Sequence, residues 1–401
     1  MPNRRDQTRP GTPPARLLDL TRLTSRAGQV LTGIDRVEAA YLRHLLADDV
    51  PLYGLVRTRL GYLILEPEGL AALRDQLLGV VPWGGNNLTG RLLRRNAPAL
   101  GAAEAGLRLQ AKRVTRRGLG PALVRLLPPG SAYLNVGHSN LTDTVISTVR
   151  DVAHAQITVM VHDTIPLDYP ELSRVGVPER FAKFIGRAAG ADQLICISQT
   201  ARAALLKHIG ADAPAVVVAP LGVRLAAAGA VPEALEAICA GGYFMAIGTI
   251  EPRKNIGMLL DIWQQLETRL PLLICGKRGW RNEAVFAQLD RGIAGVHELT
   301  GLSDGALMAL LGGARALLFP SLAEGFGLPP AEAVALGTPV LCSDLPVLRE
   351  TLRDIPVYLP AADSYQWRTR IAEYSGTDAI RQSPIALPGW GAHFKIVLTV
   401  T

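Results

Sequence analysis

In the run Pro320-Ser321-Leu322-Ala323-Glu324-Gly325-Phe326-Gly327-Leu328-Pro329-Pro330-Ala331-Glu332-Ala333, two carboxylates flank a pair of glycines and a pair of prolines. Apolar residues precede it, so it reads as a strand end opening into a helix. Pro329 and Pro330 suit a first helical turn, where a missing N–H costs nothing. Gly325 and Gly327 let backbone amides approach a ligand, and the following helix offers free N–H groups and a positive dipole end. That is an anion site suited to a diphosphate. Glu324 and Glu332 would repel such an anion unless each had donors of its own. Sugar hydroxyls are such donors: a hexose for Glu324 and a ribose diol for Glu332. Two solvated glutamates at the start of a helix are the bland alternative.

A second string, Ile247-Gly248-Thr249-Ile250-Glu251-Pro252-Arg253-Lys254-Asn255, also runs from a strand end into a helix. Asn255 is expected as the N-cap. Arg253 and Lys254 project from the same rim and can neutralise phosphate charge without a metal. No Asp-x-Asp follows an apolar strand, so no metal site is expected. Cys196, Cys239, Cys275 and Cys342 are scattered without a CxxC pair, and three of them sit in apolar runs, as small hydrophobes on buried strands do.

These strings need a scaffold that ends strands beside helix starts. The 401 residues suffice for roughly two to three domains, and 48% apolar against 19% charged residues excludes a disordered or fibrous chain. No apolar run approaches the ~18 residues of a membrane span. The polar, basic, Pro-rich start, Met1 to Arg16, is read as a tail (1–15) and not as a secretory signal. Strands are predicted at 16–20, 52–56, 132–136, 156–162, 193–197 and 215–219, then at 243–247, 272–275, 296–299, 316–319, 340–342 and 357–359, with helices alternating between them. The fold expected is α/β: two doubly wound, Rossmann-like domains, 16–224 and 241–380, facing each other across a cleft and joined by a linker at 225–240. Residues 381–401 form a C-terminal segment in which Trp390–Phe394 begins a helix returning to the first domain.

Residues 86–130 break the alternation. They hold Arg91, Arg94, Arg95, Arg108, Lys112, Arg113, Arg116, Arg117 and Arg125 against one acid, Glu104, with leucines interleaved. The reading is a basic amphipathic insertion: either a solvated face or an attachment to anionic lipid. Nucleic acid is not expected, because no aromatic stacking residues accompany the arginines.

Taken in order, the motifs resemble those of the family-4 retaining glycosyltransferases, which share the two-domain GT-B fold. Thr32-Gly33-Ile34-Asp35-Arg36-Val37 is similar to the family's first glycine loop, and Val161-His162-Asp163-Thr164-Ile165-Pro166 to its central His-Asp turn. Cys196-Ile197-Ser198, Ala219-Pro220-Leu221-Gly222-Val223, Gly248–Asn255, Cys275–Trp280 and Phe319–Glu332 continue the series. The resemblance implies that Arg253 and Lys254 grip the donor diphosphate, Glu324 orients the donor sugar and Glu332 holds the ribose. It places His162 near the sugar's primary hydroxyl, and Gly33 and Asp163 on the acceptor side. Thr249, Gly325, Phe326, Gly327 and Leu328 complete the donor site. Many relatives carry an arginine where this chain has Thr249.

The activity implied is metal-independent hexosyl transfer with retention, from a nucleotide sugar to a glycan or lipid-linked glycan in surface polysaccharide assembly. The strings look most like mannosyl-type transferases, which points to GDP-mannose as donor substrate and to no further cofactor. The enzyme is expected in the cytoplasm, peripheral on the inner membrane face. A same-fold epimerase or a catalytically silent lipid- or nucleic-acid-binding scaffold are the rivals.

Overall fold

The computed structural model describes residues 11–85, 94–210, 213–267, 270–376 and 382–401. The expected tail up to residue 10, and Arg91, Leu92 and Leu93 of the basic segment, lie outside the described residues. Eight strands form the first sheet: β1 (Arg16–Asp19), β2 (Leu52–Thr58), β3 (Gly61–Leu65), β4 (Arg113–Thr115), β5 (Ala132–Asn135), β6 (Gln156–Val161), β7 (Gln193–Cys196) and β8 (Ala215–Val218), in the order β4-β3-β2-β1-β5-β6-β7-β8. Six form the second: β9 (Phe244–Ile247), β10 (Leu272–Cys275), β11 (Val296–Leu299), β12 (Ala316–Phe319), β13 (Val340–Ser343) and β14 (Val357–Leu359), in the order β11-β10-β9-β12-β13-β14. Only the β2–β3 and β3–β4 pairings are antiparallel among these neighbours.

The central strands of each sheet are covered on both faces, which is why they read as apolar runs. Leu17 and Tyr133 pack on one face of the first sheet, Leu18 and Leu134 on the other. Phe244 and Met245 divide the second sheet's two cores in the same way. Strand order reverses between β1 and β5 and between β9 and β12. Ligands of doubly wound sheets bind outside the carboxyl ends at such reversals. The strings around Arg253 and Glu324 leave the carboxyl ends of β9 and β12, at the second sheet's switch point.

The basic segment differs from expectation. It is not an appendage carrying a leucine stripe: Arg113–Thr115 is the edge strand β4, and Leu107, Leu119, Leu123 and Leu127 are buried in the first domain's cores. Arg94 is paired with Glu104 and Lys112 with Glu66. Leu109, Val114 and Val124 remain exposed, beside exposed Arg113, Arg116, Arg117 and Arg125. The stretch read as a linker contains the helix Glu233–Cys239, whose Leu235 packs against the second sheet.

The C-terminal helix, Trp390–Val397, lies on the first domain, where Phe394 and Val397 join the core with Tyr41. His393 is buried there. The Tyr41 hydroxyl donates to its Nε2 at 2.8 Å, and its Nδ1 faces the carbonyls of Ala219 at 3.2 Å and Pro220 at 3.0 Å, so the neutral ring carries its proton on Nδ1. Burial pushes its pKa down to about 4 despite the two carbonyls. An unfolded chain therefore binds a proton here between pH 6.5 and 4 that the folded chain does not, and stability must rise with pH across that window. A His393→Phe chain is expected to be less stable than the parent at pH 7.5. Its deficit should narrow by about 2 kcal/mol at pH 5, measured by urea unfolding at both pH values. A deficit that stays constant means that His393 is charged when folded.

Candidate functional site

At the end of β9 the chain turns through Gly248, whose φ is +141° and whose absent Cβ would sit 3.0 Å from Lys254 Cε. Glycine here lets the Lys254 side chain fold back across the strand end. Asn255 follows in the left-handed region. It occupies the N-cap position of the helix Ile256–Trp263 without capping it, because its amide instead donates to the Ala361 carbonyl at 3.1 Å. The N-cap predicted from its residue type is thus filled by backbone position alone.

Lys254 Nζ meets Glu324 Oε1 at 2.6 Å, and Arg253 Nη1 meets the same oxygen at 2.7 Å. Lys254 also lies 4.4 Å from the centre of the Phe319 ring. Arg253 is oriented from two further sides, by Glu251 Oε1 at 2.7 Å and by the Ala323 carbonyl at 2.9 Å. Burial alone would raise the Glu324 pKa, but the two cations overcome it and hold the carboxyl down at about 2. Burial lowers the Lys254 pKa, with Glu324 opposing. The group is a charged triad tied together by fixed hydrogen bonds. Glu251, which sequence reasoning left without a role, is the buried carboxylate that aims Arg253; its place in the quoted string was the one signal for it.

The first domain closes over this group. An added Cβ on Gly325 would lie 2.7 Å from the His162 carbonyl and 3.2 Å from Asp163 Cβ, so only glycine allows the two loops to touch. Ser198 Oγ donates to the Gly325 carbonyl at 3.3 Å. Asp163 is half-buried within the field of Arg253 and Glu324, and desolvation raises its pKa. His162 donates from Nε2 to the Val136 carbonyl at 2.8 Å, its backbone N–H donates to His138 Nε2 at 3.0 Å, and burial lowers its pKa to about 4. The His162 ring is therefore neutral, with Nδ1 as its remaining acceptor.

The structure brings Glu324, Arg253, Lys254, Gly325, His162 and Asp163 into one cluster. Phe326 is buried against the first domain's core residues, and partly buried Leu328 packs on the same core, so these side chains join the domains. Gly327 has φ +90° and is the N-cap of the helix Leu328–Ala335, which carries Glu332. Glu332 is paired with Arg36 of the first domain. The Thr249 methyl lies against Gly279, where an added Cβ would sit 2.7 Å from it. Gly33 is the N-cap of the helix Ile34–Leu46, with open space where its Cβ would be.

A family model described as glycosyl transferases group 1 matches residues 241–356. Those residues contain the β9–β12 switch point and its triad. Over 119 residues the chain is 42% identical to the O-antigen chain mannosyltransferase B of Escherichia coli, covering 28% of this chain and 31% of that protein. A longer match, 27% identical, joins 59% of this chain to 65% of the O-antigen chain mannosyltransferase RfbU of Salmonella typhimurium. The chain thus spans less than two thirds of the length of either relative. The whole fold is that of GT-B proteins. It superposes on Anabaena Alr3699/HepE in complex with UDP-glucose with a TM-score of 0.65 at 14% identity, covering 96% and 99% of the two chains. The Escherichia coli trehalose-6-phosphate structure bound with UDP-2-fluoro glucose gives a TM-score of 0.58 at 12% identity. Among the described residues, no helix is long and apolar enough to cross a membrane.

Proposed function

We propose that this chain transfers a hexose from a nucleotide sugar to a glycan or lipid-linked glycan during surface polysaccharide assembly, with retention and without a metal. The observation that carries the reading is the Arg253–Lys254–Glu324 triad at the second sheet's switch point, closed over by His162 and Asp163. Two cations, buried Lys254 and half-buried Arg253, face the place where a departing diphosphate gains charge, and charge stabilisation of this kind is often the largest part of catalysis. Glu324, ionised and immobile, accepts hydrogen bonds from the donor sugar. Glu332 accepts them from the ribose. The acceptor hydroxyl attacks the anomeric carbon on the face the diphosphate leaves, its proton passes to the departing phosphate oxygen, and the configuration is kept. The names of the O-antigen relatives support mannose, with GDP-mannose as donor.

The test has two parts. GDP, UDP and dTDP are screened by thermal shift, where a ligand at 100 times its dissociation constant adds about 2.7 kcal/mol of stability. GDP is expected to stabilise most. Purified protein is then incubated with GDP-mannose with and without a polysaccharide acceptor primer. Product that forms only with acceptor supports transfer, conversion of donor alone supports an epimerase, and no stabilisation by any of the three nucleotides removes the reading.

We also propose that the first domain works on the cytoplasmic face of a membrane. Exposed Arg95, Arg113, Arg116, Arg117 and Arg125 lie in the same basic segment as exposed Leu109, Val114 and Val124. Each cation contributes ~1 kcal/mol near an anionic surface. Changing Arg95, Arg113, Arg116 and Arg117 to serine is expected to weaken co-sedimentation with anionic vesicles at least about tenfold. Equal binding by variant and parent removes the segment from docking.

A further inference from the structure

Arg36 belongs to the Thr32–Val37 glycine loop. It stands in the first turn of the helix Ile34–Leu46, on the first domain, and its guanidinium reaches across the cleft to Glu332 Oε1 on the second. Glu332 is 3% exposed and Arg36 36% exposed, so the carboxylate is deep and its partner comes from the open side. Asp304 adds a second, weaker attraction for Arg36.

The charges at the triad show what this pair is for. Arg253 and Lys254 are matched one for one by Glu324 and Glu251, and Asp163 lies in the same field. The triad and its neighbours therefore have no surplus positive charge for a nucleoside diphosphate, which brings at least two negative charges. Arg36 is balanced chiefly by Glu332. On the proposed function, Glu332 accepts hydrogen bonds from ribose hydroxyls, which are neutral. That exchange leaves a guanidinium uncompensated beside the phosphates, and its planar fork matches phosphate oxygens in pairs. Gly33, three residues before Arg36, leaves the same helix start open.

We propose that Arg36 is a phosphate-binding residue held in reserve by Glu332: a ribose diol takes the carboxylate, and the released guanidinium passes to the donor's diphosphate. The first domain thereby supplies part of the leaving-group site, and tight diphosphate binding requires the two domains to be together. The inference rests on the donor reading given above.

Its test compares a nucleoside with its diphosphate. Guanosine and GDP are titrated calorimetrically into the parent chain, Arg36→Met and Arg36→Lys; uridine and UDP, or thymidine and dTDP, replace them if that diphosphate gives the larger thermal shift. Arg36→Met is expected to lose about tenfold or more in diphosphate affinity and to bind the nucleoside as well as the parent or better, since a competitor for Glu332 is gone. Arg36→Lys, which keeps a charge but not the fork, should fall between. A parallel loss for nucleoside and diphosphate shows a mere tie between domains and overturns the proposal, as does unchanged diphosphate affinity. If thermal melting shows that Arg36→Met does not fold, Arg36→Lys decides by the same criterion. A parent chain that binds no nucleoside diphosphate sinks the donor reading itself, an outcome distinct from either.

Discussion

A Glu324→Gln chain is expected to turn over at least about a hundredfold more slowly than the parent while binding GDP as tightly or more tightly. The opposite signs follow from the triad. Glu324 is ionised at every working pH, since its pKa is held at about 2. It therefore offers the donor sugar a fixed acceptor, which glutamine only half replaces. Yet the same carboxylate consumes the charge of Arg253 and Lys254, each within 2.7 Å of Oε1. Glutamine frees that charge for phosphate. Removing one partner of a buried ion pair costs about 3–5 kcal/mol because the other is left uncompensated, so the ligand-free variant should melt earlier. GDP, restoring a negative charge, should raise its melting temperature by more than it raises the parent's. Full turnover in the variant, or loss of GDP binding with loss of turnover, contradicts the role assigned to Glu324.

The second large effect is expected from one methyl group. Gly325→Ala places a Cβ 2.7 Å from the His162 carbonyl, closer than carbon and oxygen approach without repulsion. The obstacle is backbone of the other domain, so no side-chain rotamer relieves it; the domains must part. Because the contact joins two cores without lying in either, the stability cost should stay within about 1–3 kcal/mol, the usual range for overpacking. Activity is less forgiving, since a displacement of about 1 Å between reacting groups can cost on the order of a hundredfold. The expected result is a folded protein with kcat down by one to two orders of magnitude, measured alongside a thermal melt. A variant with parental kcat means that productive closure does not use this contact.

Much of this was readable before any coordinates because the chemistry and the fold leave marks of the same kind. A strand end followed by glycines and prolines marks a turn whatever its partners, so the Glu324 loop and the Arg253 string could be placed beyond β12 and β9. The central parallel strands announced themselves as apolar runs because both their faces are covered. β3 and β4 did not. They extend the sheet antiparallel beyond β2, and β4 offers three residues, two of them exposed, inside an arginine-rich stretch whose leucines pair with neither period clearly. Asn255 shows a different limit: residue type named the N-cap position, but the Ala361 carbonyl, more than a hundred residues away, decided where its amide went. Arg36 and Glu332 are hidden for the same reason. Nearly three hundred residues separate them, and nothing local marks an ion pair between domains.

The return of Trp390–Val397 to the first domain sets the order in which the protein can be made. The hydrophobic core around Tyr41 lacks Phe394 and Val397 until the whole of the second domain has left the ribosome. Contacts this distant in sequence are slow to form, so the half synthesised first is the last to be finished. Until then its half-built surface is open to solvent, and to other chains.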